Sequence, residues 1–254
     1  MSGLLFILLL LGPVQSGTDY PLKDGRPTSK GIDRYVEDNA EALTLEFETF
    51  IKDTLYNTNI YTEDLSGNEG HNPYELGNYY PNEIFITNAE IFLAYELDDL
   101  PRSFRDSLVS SNLFVKAAVF HELAHHYIYQ LSIEMLRRDH ISIDRAYQSF
   151  FRIYSLRESQ GEKFIEEGIC EYITAKTGEI IVPRRPHIPK KLSYLNDPEN
   201  EYQVFYKYSA YYLTDFLDTN GLKRGIKILL HNPPPSSGEI LEPDRYFSRL
   251  AGID

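Results

Sequence analysis

The chain has 254 residues, 42% of them hydrophobic and 25% charged. That length and balance give one large domain or two small subdomains, and they exclude a largely disordered chain or a polytopic membrane protein. With 25 basic against 38 acidic residues the formal net charge is −13, which excludes a broad nucleic-acid-binding face, because neutralising phosphates takes a surplus of Lys and Arg.

In chain order, residues 4–11 form an unbroken apolar run, LLFILLLL, too short for the ~20 residues of a membrane-spanning helix. Val14 and Ser16 then fit a signal-peptidase site. Residues 1–16 are therefore expected to be a signal peptide, and the mature chain to be secreted or periplasmic, without stable membrane insertion after cleavage. The alternative is an uncleaved anchor. Residues 17–30, rich in Gly, Pro and Thr, read as an extended lead-in.

Residues 31–55 predict an amphipathic helix, because Ile32, Tyr35, Val36, Ala40, Leu43, Phe47, Ile51 and Leu55 recur near the helical period. Residues 56–82 cluster Asn, Gly, Pro and Asp and read as loop with short strands. Residues 83–87, Glu-Ile-Phe-Ile-Thr, predict a strand. Residues 113–131 are the most apolar helical stretch of the mature chain, and 145–156 and 163–176 predict two more helices. Residues 177–201 are Pro- and charge-rich and read as a long loop. Its basic stretch from Arg184 to Lys191 reads as solvated, or more sharply as a flap favouring acidic or C-terminal carboxylate substrates. Residues 202–217 predict a helix stopping near Asn220 and Gly221. Residues 222–230 predict another, ended by Asn232 and three prolines.

The pattern implies an α+β fold, with a small N-terminal mixed sheet and helices followed by a mainly helical half. Within a single 17–254 domain, an upper part of about 17–130 and a lower part of about 131–254 would flank a cleft.

Residues 121–125 read His-Glu-Leu-Ala-His. Histidines at i and i+4 lie on one helix face and can grip one small cation. Glu122 beside them can reach a water at that cation without taking a ligand position. Zinc suits such donors and leaves a fourth position open. Chance places HExxH in a chain of this length on the order of once or twice in a hundred, so the match counts. Its setting counts too, since a buried helix does not carry two His and a Glu without partners.

A third ligand is needed, and HExxHxxGxxH fails because Ile128 and Leu131 hold the key positions. Downstream, Glu167 and Glu171 share a helix face, so one can bind the metal. The other can accept the spare N–H of a ligating histidine. Glu166 competes for the ligand role. The single cysteine, Cys170, excludes an intrachain disulfide, a CxxC site and a zinc ribbon. It reads as a core thiol. His126 points about 100° away from the motif face. His71, His140, His187 and His231 fall in loops or near helix ends.

HELAH followed by EEGICEY resembles the gluzincin metallopeptidases, the thermolysin-like and aminopeptidase-like zincins, and in size the small single-domain members. The resemblance implies a zincin-like fold, zinc held by His121, His125 and Glu167, and Glu122 as catalytic base. It gives Glu171 the place of the acidic residue that supports a ligand. The stretch YKYSAYYLTDFLDTNG over 206–221 is similar to the segment whose leading tyrosine stabilises the oxyanion, which implies that role for Tyr206, with Tyr208 close behind; some gluzincins use a late histidine on that side instead, which makes His231 the other candidate the resemblance implies. The separation of His125 from Glu167 is longer than in those families and implies an additional helix. The aminopeptidase GAMEN motif is absent, so exopeptidase specificity is not implied. The recognisable match covers residues 112–221.

The expected function is zinc-dependent hydrolysis of peptide bonds in a peptide or protein substrate outside the cytoplasm. The rivals are an inactive zincin-fold binding protein and a zinc amidase acting on cell-wall peptides. The strand at 83–87 is expected to form the cleft edge, where an extended peptide adds as a further strand.

Overall fold

The computed structural model describes residues 22–23, 26–65, 77–88, 113–138, 160–177, 190–195 and 202–252. Among them the protein is mixed α+β and mostly helical, with one three-stranded sheet and one two-stranded hairpin. It divides into two units, residues 1–126 with 176–180, and residues 127–175 with 181–254. The leader expected at 1–16, the helix at 145–156 and the expected 177–201 loop apart from 177 and 190–195 lie beyond the described residues; Thr177 ends a helix and Leu192–Leu195 form a short one. Among the described residues no helix is long and apolar enough to cross a membrane.

The first unit opens with a short antiparallel hairpin, β1 (Leu22–Lys23) and β2 (Arg26–Pro27). Helix α1 (Ser29–Ile51) starts at Thr28, whose hydroxyl accepts the Gly31 N–H at 3.1 Å and so satisfies a first-turn donor. It buries Ile32, Val36, Leu43, Phe47 and Ile51 on one stripe, and ends at Lys52 in the left-handed region (φ 54°).

Strands β3 (Asn59–Glu63), β4 (Gly77–Tyr80) and β5 (Glu83–Thr87) follow, and α1 packs on β3. The sheet order is β3-β5-β4, with β5 parallel to β3 and antiparallel to β4. Asn82 (φ 71°) turns β4 into β5, a conformation Asn tolerates well. The register sets Gly77 opposite Ile86 and Tyr79 opposite Ile84, all on one sheet face.

This order corrects one expectation. The 83–87 strand is central, not an edge: β3 and β4 take its backbone groups on both sides. Among the described residues the edges are β3 and β4.

Helix α2 (Leu113–Arg138) contains neither Gly nor Pro. From Ala118 to Ile128 every residue except His121 is buried, the signature of an interior helix. Its first half is tied to α1 by the Phe47–Phe120 ring contact, with centroids 5.8 Å apart, and by Lys116 with Glu46 at 2.6 Å.

The second unit is helical among its described residues. It holds the rest of α2, then α3 (Gln160–Thr177), α4 (Leu192–Leu195), a π-helical segment (Tyr202–Tyr208), α5 (Ser209–Asn220), α6 (Leu222–His231), α7 (Ser237–Leu241) and α8 (Pro243–Leu250). The helix expected at 202–217 therefore begins as π-helix. The Ser209 hydroxyl donates to the carbonyls of Phe205 and Tyr206 at the junction with α5. Helices α7 and α8 had no counterpart in the sequence reading. At Gly168 an added Cβ would fall 2.7 Å from Leu213 Cδ1 and 2.8 Å from Ser209 Oγ. The bare backbone of α3 is thus what lets α5 approach so closely.

Candidate metal centre

His121 and His125 stand one turn apart on α2, and their Nε2 atoms lie 3.2 Å from each other. A zinc ion about 2.0–2.1 Å from each nitrogen, at the tetrahedral angle, would set them about 3.3–3.4 Å apart. The pair therefore has the bite of a chelate, and imidazole nitrogen is a donor that zinc accepts. His125 is only 5% exposed. The ring of Tyr79, from β4, lies within 10° of parallel to it, with centroids 6.2 Å apart.

Glu122 is 6% exposed. Its carboxylate occupies the space left by the missing side chain of Gly77: a Cβ there would meet Glu122 Cγ at 2.7 Å and Oε1 at 2.8 Å. The sheet and α2 thus hold the acid between them within the first unit.

His126 is built differently. Its Nε2 lies 2.9 Å from the Tyr56 carbonyl, to which it donates, so Nδ1 is left to accept from the Tyr79 hydroxyl at 3.3 Å. Burial pushes its pKa below the ordinary value, and the bond to Tyr56 offsets that in part. Both ring nitrogens are engaged, and the neutral ring pins α2 to β4 and to the segment after α1.

On α3 of the second unit, Glu167 is buried and Glu166 and Glu171 are half-buried. Glu167, Cys170 and Glu171 share one helix face by spacing. Tyr206 is half-buried in the π-helical segment. Tyr208 is fully buried and donates its hydroxyl to the Ile240 carbonyl at 3.0 Å. Burial, then the neighbouring Tyr212 and Asp244, raise its phenol well above the usual range. Tyr208 is thereby tied into the helical core. His231 is exposed at the end of α6.

The structure thus gathers His121, Glu122 and His125 in the first unit, and Glu167, Glu171 and Tyr206 belong to the second. The sequence reading did not single out Gly77 or Tyr79. The one local signal was a Gly at the head of a Gly-Asn-Tyr-Tyr run, and nothing in it points to α2. Set against family models, curated proteins and solved structures, the chain finds no match.

Proposed function

We propose that the protein is an exported zinc metallopeptidase of the gluzincin kind, with a zincin-like catalytic core. The observation that carries the reading is the 3.2 Å approach of His121 and His125 Nε2, with Glu122 buried on the same helix. His121 and His125 hold zinc. Glu167 as third ligand, and Glu171 as acceptor of a ligating histidine's spare N–H, rest on the EEGICEY pattern.

When bound, zinc supplies Lewis acidity at the scissile carbonyl. Glu122 takes a proton from the attacking water and delivers it to the leaving amine. Gly77 leaves that carboxylate its room. Tyr206 donates to the oxyanion, a role worth about 3 kcal/mol of barrier. Because β4 is an edge and carries Gly77 beside Glu122, an extended substrate adds to the sheet at β4 and not at β5.

The test is a diverse peptide mixture incubated with the zinc-loaded chain and with its Glu122→Gln variant, read by mass spectrometry. New termini with the native chain alone support the peptidase reading. No products, despite bound zinc, overturn it in favour of a binding protein. Products confined to cell-wall peptides move the substrate to that amide class.

A further inference from the structure

The C-terminal half of α2 and helix α6, both in the second unit, frame an open groove of about 610 Å³. Met135, Lys223, Arg224, Lys227, Ile228 and His231 line it, and the lining surface is almost wholly apolar. Met135 and Ile228 line it beside the basic residues, whose methylene stems are themselves apolar. No acidic residue occurs in α6. In a chain of net charge −13, this is a local reversal of sign.

One carboxylate already uses part of it. Glu134 lies 2.9 Å from Lys227 Nζ and 3.7 Å from Lys223 Nζ. The two ammonium groups can therefore share a carboxylate. Lys223, Lys227 and His231 are spaced four apart, which sets successive positions about 6 Å apart along the helix. Alternate residues of an extended chain rise about 6.6–6.8 Å. The row of basic side chains thus matches the same-side residues of an extended peptide.

We infer that the groove between α2 and α6 binds an extended acidic polypeptide segment, with carboxylates at alternate positions facing Lys223, Lys227 and His231. This goes beyond the peptidase reading and does not depend on the metal. A lipid surface fits less well: the apolar atoms line a groove instead of a crest, and the bulky Ile226 and Leu229 of α6 are buried.

The probe is a labelled peptide of alternating Glu and Val, titrated with the full chain by fluorescence anisotropy. Mass spectrometry after each titration confirms that the peptide is intact. The Glu peptide is expected to bind about tenfold or more tighter than its Gln counterpart, and tighter than an isomer with contiguous glutamates. Lys223→Gln with Lys227→Gln should remove the preference. Glu134→Gln, which removes the carboxylate both ammonium groups share, should strengthen binding, whereas Glu242→Gln, outside the groove lining, should not.

Equal binding of the Glu and Gln peptides, or a preference surviving the double variant, overturns the proposal. So does equal strengthening by Glu242→Gln, which would mark a general charge effect. Binding only to phosphatidylserine vesicles, lost in the double variant, replaces the peptide with a lipid surface.

Discussion

At the C-terminal end of the second unit the polar groups around Glu239 meet their complements. The Ser236 hydroxyl accepts the Glu239 N–H at 3.3 Å, and the Glu239 carboxylate accepts the Ser236 N–H at 2.8 Å, a reciprocal cap on α7. Arg249 Nε closes the arrangement on Glu239 at 2.8 Å and its Nη2 reaches the Pro233 and Pro234 carbonyls. On α2 in the first unit the Nε2 atoms of His121 and His125 approach to 3.2 Å, where one ring can donate to the other or, with neither Nε2 protonated, both can turn a lone pair toward one cation. The neighbouring His126 shows that this stretch can satisfy a histidine when its role is structural. Complementary pairing around Glu239 closes a chain on itself, whereas two imidazoles one turn apart can exchange the hydrogen bond between them for a shared cation.

That contrast is open to breakage. The largest effect belongs to Glu122→Gln, which keeps the shape and removes the base. Peptide turnover should fall about 10²–10⁴-fold while zinc content, measured on the same sample, stays unchanged. Lost zinc would make Glu122 a ligand. Next is Gly77→Ala. Its Cβ would fall onto the Glu122 carboxylate, and a displaced base should cost about 10²-fold in turnover with zinc retained. Native rates in that variant would show that the carboxylate does not depend on its place beside β4.

In the second unit the corresponding change, Gly168→Ala, meets Leu213 and Ser209 and touches no proposed catalytic group. Overpacking should lower stability by about 1–3 kcal/mol in urea unfolding, and an unchanged midpoint would mean that the helices part easily.

The smallest effect is in acid. The bond from Arg249, then those from Ser236, hold the Glu239 carboxyl at about 2 against an ordinary 4.5, with burial opposing them. The folded chain therefore binds that proton less readily than the unfolded one. The stability it contributes is present above pH 4.5 and is lost as the pH falls toward 2. Arg249→Ala should flatten that part of the stability–pH curve, measured by thermal unfolding, and leave the curve above pH 6 parallel to the native one.

What was legible in the sequence was mostly local. Ile32, Val36, Leu43, Phe47 and Ile51 announce α1 through their period, and the absence of Gly and Pro announces α2. The i, i+4 spacing of His121 and His125 is itself the chelate geometry once a helix forms, so the pair could be read without a fold. Strand β4 could not, because Gly77 and Asn78 have little strand preference and the strand exists through its pairing with β5. Alternation reveals that 83–87 is a strand but not which neighbours it takes, hence its misplacement at an edge. The π-helical start of the Tyr206 segment, where Ser209 bonds the Phe205 and Tyr206 carbonyls, has no periodic signature that separates it from an α-helix over so few residues. Helices α7 and α8 did carry signals: Ser236 three before Glu239 is a capping box, and Pro243 opens α8 where proline is favoured. Gly77 was beyond reach, since its partner on α2 is distant in sequence.

The most direct test of the central claim is a calorimetric titration of metal-free full-length chain with zinc, beside Glu122→Gln and His125→Ala. A metal centre on α2 predicts one equivalent bound tightly by the native chain and by Glu122→Gln, and none bound tightly by His125→Ala. Tight binding that survives His125→Ala, or no tight binding by the native chain, would contradict it.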